Sequence, residues 1–140
     1  MLKVFLVLLL SGLCSAAGDK EDFDAFFYVF CTDTVAQKQR VKFPLRKITL
    51  LDSGQEKYDT TVFSAKNWKH QSFFVDYGLA YHSQIYDNFD LELKDSDERV
   101  FAWHGVESGV QVYYYFKRIN GKWFLIDWKN LSAKTAHGVP

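Results

Sequence analysis

From Asp19 to Arg40 the apolar positions recur with a helical period. Phe23, Phe26, Phe27 and Phe30 fall at i, i+3, i+4 and i+7, which predicts one helix with a single buried stripe. Asp19, Glu21 and Asp22 lie where the positive end of a helix dipole favours acids. Asp33, three residues before Ala36, predicts a cap and a second short helix over Thr34 to Arg40.

Beyond Val41 the period changes from helical to extended. Pro44 has no N–H for a ladder, so a strand here lies at an edge or starts after the proline. Ile48 and Leu50 then "LDSG" read as strand and turn, and "KYDTTVFS" reads as the returning strand. Ser64 to His70 suits one helical turn carrying Trp68. "SFFVDY" is a short apolar run. In "LAYHSQIYDNFDLELKD" the first half has helical spacing at Leu79, His82 and Tyr86, and the second half alternates as a strand at Phe89, Leu91 and Leu93. "RVFAWHGV" predicts a further strand. "GVQVYYYFKRINGKWFLIDWKNL" predicts a closing hairpin with Asn120-Gly121 as a two-residue turn. Helices first and a strand meander after predict an α+β fold, with the N-terminal helices packed on an antiparallel sheet.

The hairpin poses a question. With Ile119 facing Lys122, an unbroken register sets Tyr113 and Tyr115 beside Trp128 and Ile126 on one face. The other face carries Tyr114 and Phe116 with Asp127 and Leu125. A solvated antiparallel sheet shows one polar face. Neither face here is polar, so both are expected to be covered: one by the helices, the other by a curled sheet, a partner chain or a ligand. In this register Asp127 stands opposite Tyr114. It reads either as a carboxylate in the wall of an apolar cavity or as a solvated acid beside Lys129.

Composition sharpens the class. The chain has 140 residues, suited to one domain, with 48% hydrophobic and 18% aromatic residues. Its first 17 residues predict a signal peptide: Lys3, a short apolar core from Val4 to Leu10, and small residues at Ser15-Ala16-Ala17. That core is far below the roughly 18 to 20 residues a spanning helix needs. The expectation is an exported protein, periplasmic or secreted. Lipid anchoring at Cys14 is disfavoured by Leu13 before it. Residues 18–132 form the expected domain and 133–140 a frayed tail. If Cys14 leaves with the signal, Cys31 remains alone and is expected to be a buried thiol. Without Lys3 the chain carries 16 basic and 17 acidic residues, which is not the footprint of a nucleic-acid binder.

The residues show no assembled catalytic motif. His70, His82, His104 and His137 lack metal-site spacing, and no phosphate loop or nucleophile elbow is present. No metal or other cofactor is expected. Asp76-Tyr77 and His104 could converge with Asp127 on a cavity. Gln37, Arg40 and Lys42 are the most motif-like polar residues. They read either as a recognition patch or as structural groups, Arg40 pairing with an acid and Gln37 satisfying backbone near Pro44. Asn130-Leu131-Ser132 is a glycosylation sequon set in a strand, read as chance.

The phenylalanine-rich helix, Asp33, and then Gln37-x-x-Arg40-Val-Lys-Phe43-Pro44-Leu45 resemble a family of exported bacterial domains of unknown function. That family has a nuclear-transport-factor-2-like, or cystatin-like, cone of helices and a curved sheet. The ending "GKWFLIDWKNLS" is similar to the last strand of such cones, and the resemblance spans Asp19 to about Ser132. It implies a concave face that grips the helices and encloses a pocket, and an outer face suited to a second subunit. It supplies no catalytic residues. The candidate pocket or interface residues are therefore Asp127, Tyr114, His104, Phe116 and Trp128. The expected function is a non-catalytic module binding a small apolar or glycan-like ligand, or a protein. The alternatives are a structural dimerising subunit, or a small acid–base enzyme using Asp127 with Tyr114 or His104.

Overall fold

The computed structural model describes residues 18–73 and 81–132. The expected signal peptide, Asp76-Tyr77, most of the "SFFVDY" run, His137 and the tail at 133–140 lie outside the described residues.

Two helices open the fold, α1 (Phe23–Thr32) and α2 (Thr34–Gln39). The Asp22 carboxylate accepts from the Ala25 N–H at 2.9 Å, and the Asp33 carboxylate accepts from the Ala36 N–H at 2.8 Å. Each acid satisfies an orphan donor of a first helical turn. Asp33 also closes α1, its N–H donating to the Val29 carbonyl, so one residue ends the first helix and starts the second.

Six strands follow: β1 (Leu45–Asp52), β2 (Lys57–Phe63), β3 (Tyr81–Tyr86), β4 (Glu98–Gly105), β5 (Gln111–Ile119) and β6 (Lys122–Asn130). They form one sheet in the order β2-β1-β6-β5-β4-β3. The first strand begins directly after Pro44, as the missing N–H requires. Neighbours are antiparallel except β1 and β6, which pair in parallel. The meander from β3 starts at the far edge and brings β6 back beside β1 in the same direction.

The phenylalanine stripe is the core. Phe23, Phe26, Phe27 and Phe30 are all buried against the inner sheet face. Their rings surround Phe116, which is fully buried, at centroid distances of 5.3 to 5.9 Å. Trp123 and Leu125 complete this layer.

Two expectations are corrected. The segment around His82 is strand β3, not helix. Its Tyr81, Ser83 and Ile85 share a face with Trp103 and Phe101 of β4, so the period is two, hidden because Ser83 on the inner face is as polar as His82 and Gln84 on the outer one. The segment around Phe89 to Leu93 is a loop, not a strand. Asn88 closes it, accepting from the Glu92 N–H and donating to the Glu92 carboxylate, each at 3.0 Å. Leu91 takes a positive φ of 60°, and Leu93 points to solvent.

The hairpin register also differs. Its turn is at Asn120-Gly121, and Gly121 carries the φ of 79° that a two-residue turn of this kind asks of glycine. From Ile119↔Lys122 to Phe116↔Leu125 the pairing is as expected. The next pair is Tyr115↔Asp127, leaving Ile126 as a bulge. A one-residue shift moves every later side chain to the other face. Asp127 therefore stands opposite Tyr115, not Tyr114, and Trp128 joins Tyr114 and Phe116 on the inner face.

The second face is covered only in part. Over β4 and β5 a small outer core of Val100, Ala102 and Tyr113 is screened by Tyr86 and Phe89, with Phe89 set edge-on to Tyr115 at 5.5 Å. Over β2, β1 and β6 the outer face is open, and Tyr58 and Val62 of the edge strand are about half exposed.

Candidate functional site

The bulge at Ile126 separates the candidate pocket residues. Tyr114, Phe116 and Trp128 lie on the inner face. Asp127 and His104 lie on the outer face, so the expected convergence of Asp127 with Tyr114 does not occur. Asp127 meets the Arg46 guanidinium at 3.6 Å. His104 stacks on His82, its cross-strand partner, at 5.2 Å between ring centroids, and its Nε2 lies 3.5 Å from the Tyr86 hydroxyl. Burial, and next the nearby His82, push the His104 pKa below its ordinary value. The histidines read as scattered thus include one adjacent pair. No group of three or more metal-ligating side chains occurs among the described residues.

Gln37 and Arg40 are structural fasteners. Gln37 is fully buried, so it is no part of an exposed patch. Its Nε2 donates to the carbonyls of Phe30 at 3.0 Å and Gln71 at 2.9 Å, and its Oε1 accepts from the Gln71 N–H at 2.8 Å. It therefore ties α1 to the segment carrying Phe73, rather than satisfying backbone near Pro44. Arg40 grips both carboxylate oxygens of Glu21, at 2.8 and 2.9 Å. Burial alone would raise the Glu21 pKa. The Arg40 hydrogen bonds and the Trp123 N–H outweigh it and hold the carboxyl below its usual value. Cys31 is a buried free thiol, pushed up to about 12 by burial. It is held as the neutral thiol, which is not a nucleophile.

The inner face opens at the end of the sheet away from the phenylalanine layer. A cavity of about 340 Å³ lies there between Gln71 and Ser72 on one side and Tyr81, Trp103, Val112 and Tyr114 on the sheet. Tyr114 belongs both to this cavity and to a run of stacked rings. It stacks on Trp128 at 5.1 Å, and Trp128 stacks on Phe63 at 5.8 Å. Trp68 meets the same Phe63 edge-on, also at 5.8 Å. The single helical turn expected at Ser64 holds Trp68 in place, with the Trp68 N–H donating to the Ser64 carbonyl at 3.1 Å.

Sequence reasoning missed the chemical feature of this wall. The indole N–H groups of Trp68 and Trp128 are buried and have no hydrogen-bond partner among the described residues. The two residues are only 9% and 7% exposed. Trp123 shows the usual solution, its Nε1 donating to the Glu21 carbonyl at 2.9 Å. A buried donor without an acceptor costs about 1 to 3 kcal/mol, which makes two of them around one phenylalanine a notable feature. Tryptophan periodicity carries no information on where an indole N–H points, so no sequence signal marked them.

Comparison with known proteins adds the fold family. Residues 9–133 match the family described as Domain of unknown function (DUF4348). No curated protein matches significantly. Several solved structures are similar, three of them from Bacteroides. An NTF2-like protein from Bacteroides fragilis is 20% identical with a TM-score of 0.53, over 81% of this chain and 48% of that one. A cystatin-like protein from Bacteroides caccae is 23% identical with a TM-score of 0.56, over 80% of this chain and 77% of that one. A protein from Bacteroides uniformis is 24% identical with a TM-score of 0.53, over 79% and 76%. The chain spans about half the length of the first of these. At such identities the likeness shows the fold, an NTF2-like or cystatin-like α+β architecture. Among the described residues no helix is long and apolar enough to cross a membrane.

Proposed function

The chain belongs to this family of unknown function (DUF4348), and on that premise we propose that it is an exported, non-catalytic module that binds a small ligand at the open end of its inner sheet face. The observation that carries this reading is the cavity of about 340 Å³ walled by Tyr81, Trp103, Val112 and Tyr114, with Trp128 stacked behind Tyr114. Ligand sites are typically concave and mostly apolar, with a few polar groups fixing orientation. Aromatic walls with Gln71 and Ser72 at the rim fit that description. Export rests on the N-terminal pattern of Lys3, Val4 to Leu10 and Ala17.

Native mass spectrometry of protein purified from its own host tests the reading. A retained small molecule, lost in Tyr114→Ala and Trp128→Ala, would support it. Host-purified protein free of any ligand, with both variants indistinguishable from the parent, would refute it. An N-terminus at Met1 in the same sample would refute export.

A second reading, a dimerising structural subunit, draws on the outer face. A cavity of about 410 Å³ there is walled by Ile48, Tyr58, Thr60, Lys129 and Leu131. The same spectra decide it: a doubled mass abolished by Val62→Asp would favour this use of the sheet.

A further inference from the structure

The outer face over β3 and β4 holds a cluster that the inner-face ligand reading does not use. We propose that His82, His104 and Tyr86 form a binding site for a zinc ion, its fourth position left to water.

His82 and His104 are cross-strand partners, so both side chains rise from the same face of the sheet. Their ring centroids are 5.2 Å apart. Two imidazoles on one tetrahedral ion, each nitrogen about 2.0 to 2.1 Å from the metal, place their centroids about 5 Å apart. The spacing is that of a chelate, and turning the rings requires no movement of a strand. His82 is exposed, which gives its ring room to turn. β3 is an edge strand, so an ion reaches the pair from solvent.

The third donor is the Tyr86 hydroxyl. No third His, Cys, Asp or Glu joins the pair among the described residues. Tyr86 packs on Val100, Ala102 and Tyr113 of the outer core, and its hydroxyl stops 3.5 Å from His104 Nε2. That is longer than a good hydrogen bond, about 2.5 to 3.2 Å. It matches the nitrogen–oxygen edge of a tetrahedral zinc site, about 3.4 Å. Tyr113 meets His104 edge-on at 5.7 Å and braces the ring from which both distances run. One tetrahedron thus accounts for both spacings. Two imidazole nitrogens suit zinc, whereas magnesium and calcium take sets of oxygen ligands.

The test uses the full chain, stripped of metal with a chelator and titrated with zinc chloride, with magnesium chloride as the control. Calorimetry reads the affinity. Proton–nitrogen NMR of the 4 histidine imidazoles reads which rings take the ion. One zinc per chain should bind, shifting His82 and His104 and leaving His70 unmoved, and magnesium should shift none of them. His82→Ala, a change at an exposed position, should weaken zinc binding by more than about tenfold, as should His104→Gln. Tyr86→Phe should weaken it about tenfold while both imidazoles still shift. His70→Ala should change nothing. Zinc that moves His70 as much as the pair, or an affinity unchanged by His82→Ala, overturns the site. An affinity unchanged by Tyr86→Phe overturns it as well, since the hydroxyl is then no donor. None of these outcomes bears on the inner-face cavity.

Discussion

Tyr114 stands directly opposite Trp128, ring stacked on ring at 5.1 Å. That pairing exists only because Ile126 is bulged out of β6. Without the bulge Trp128 would face outward with Tyr113, and Asp127 would sit on the inner wall. Bulges re-aim side chains in this way and often stand beside functional sites. Deleting Ile126 removes the extra residue itself, so Asp127 and Trp128 should keep Tyr115 and Tyr114 as partners and keep their faces. Circular dichroism and thermal unfolding of that variant should show the cooperative fold retained, and its loss would contradict the assignment of Ile126 as the bulge.

Phe116 has no exposure and is ringed by four phenylalanines of α1. Phe116→Ala should cost about 3 to 5 kcal/mol in urea unfolding, by lost transfer energy and the cavity left behind.

The indoles should divide in the same assay. Trp123→Phe removes a made hydrogen bond and leaves the Glu21 carbonyl only the longer one from Arg118 at 3.3 Å, so it should be the costlier change, by about 0.5 to 1.5 kcal/mol from that bond beyond the packing loss. Trp68→Phe and Trp128→Phe each remove a donor that has no partner, so only packing is lost.

Gln37→Leu should cost about 2 to 5 kcal/mol. It leaves the Phe30 and Gln71 carbonyls and the Gln71 N–H without their side-chain partner. The loss should also loosen the segment carrying Phe73, read as faster amide exchange at Gln71.

Glu21 predicts a pH dependence of definite sign. Its folded pKa lies below the ordinary 4.5, so the unfolded chain binds the proton more readily. The stability this group contributes is complete above pH 4.5 and is lost as pH falls through the folded value. Arg40→Met should flatten that acid limb in denaturant titrations, and a limb unchanged by the substitution would refute the assignment.

Much of this architecture is written in the sequence. The phenylalanine stripe, the Asp33 cap and the Asn120-Gly121 turn are local signals, each decided within a few residues. The Ile126 bulge is not, because "WFLIDW" alternates no differently with or without it and an apolar bulge residue looks like its neighbours. The Gln37 fastener spans 34 positions to Gln71, beyond any local pattern. Strand β3 was hidden because His82, Ser83 and Gln84 give its period no hydrophobic contrast. Of the candidate site, Tyr114 and Trp128 stood out as aromatics, but their meeting depends on the bulge.

The most direct test of the central claim is a high-resolution crystal structure of the protein purified from its own host. The account predicts a bound molecule in the cavity beside Tyr114, packed against Trp103 and Val112 with Gln71 and Ser72 at its rim. A cavity that holds only isolated waters, with no molecule against Tyr114, would contradict it.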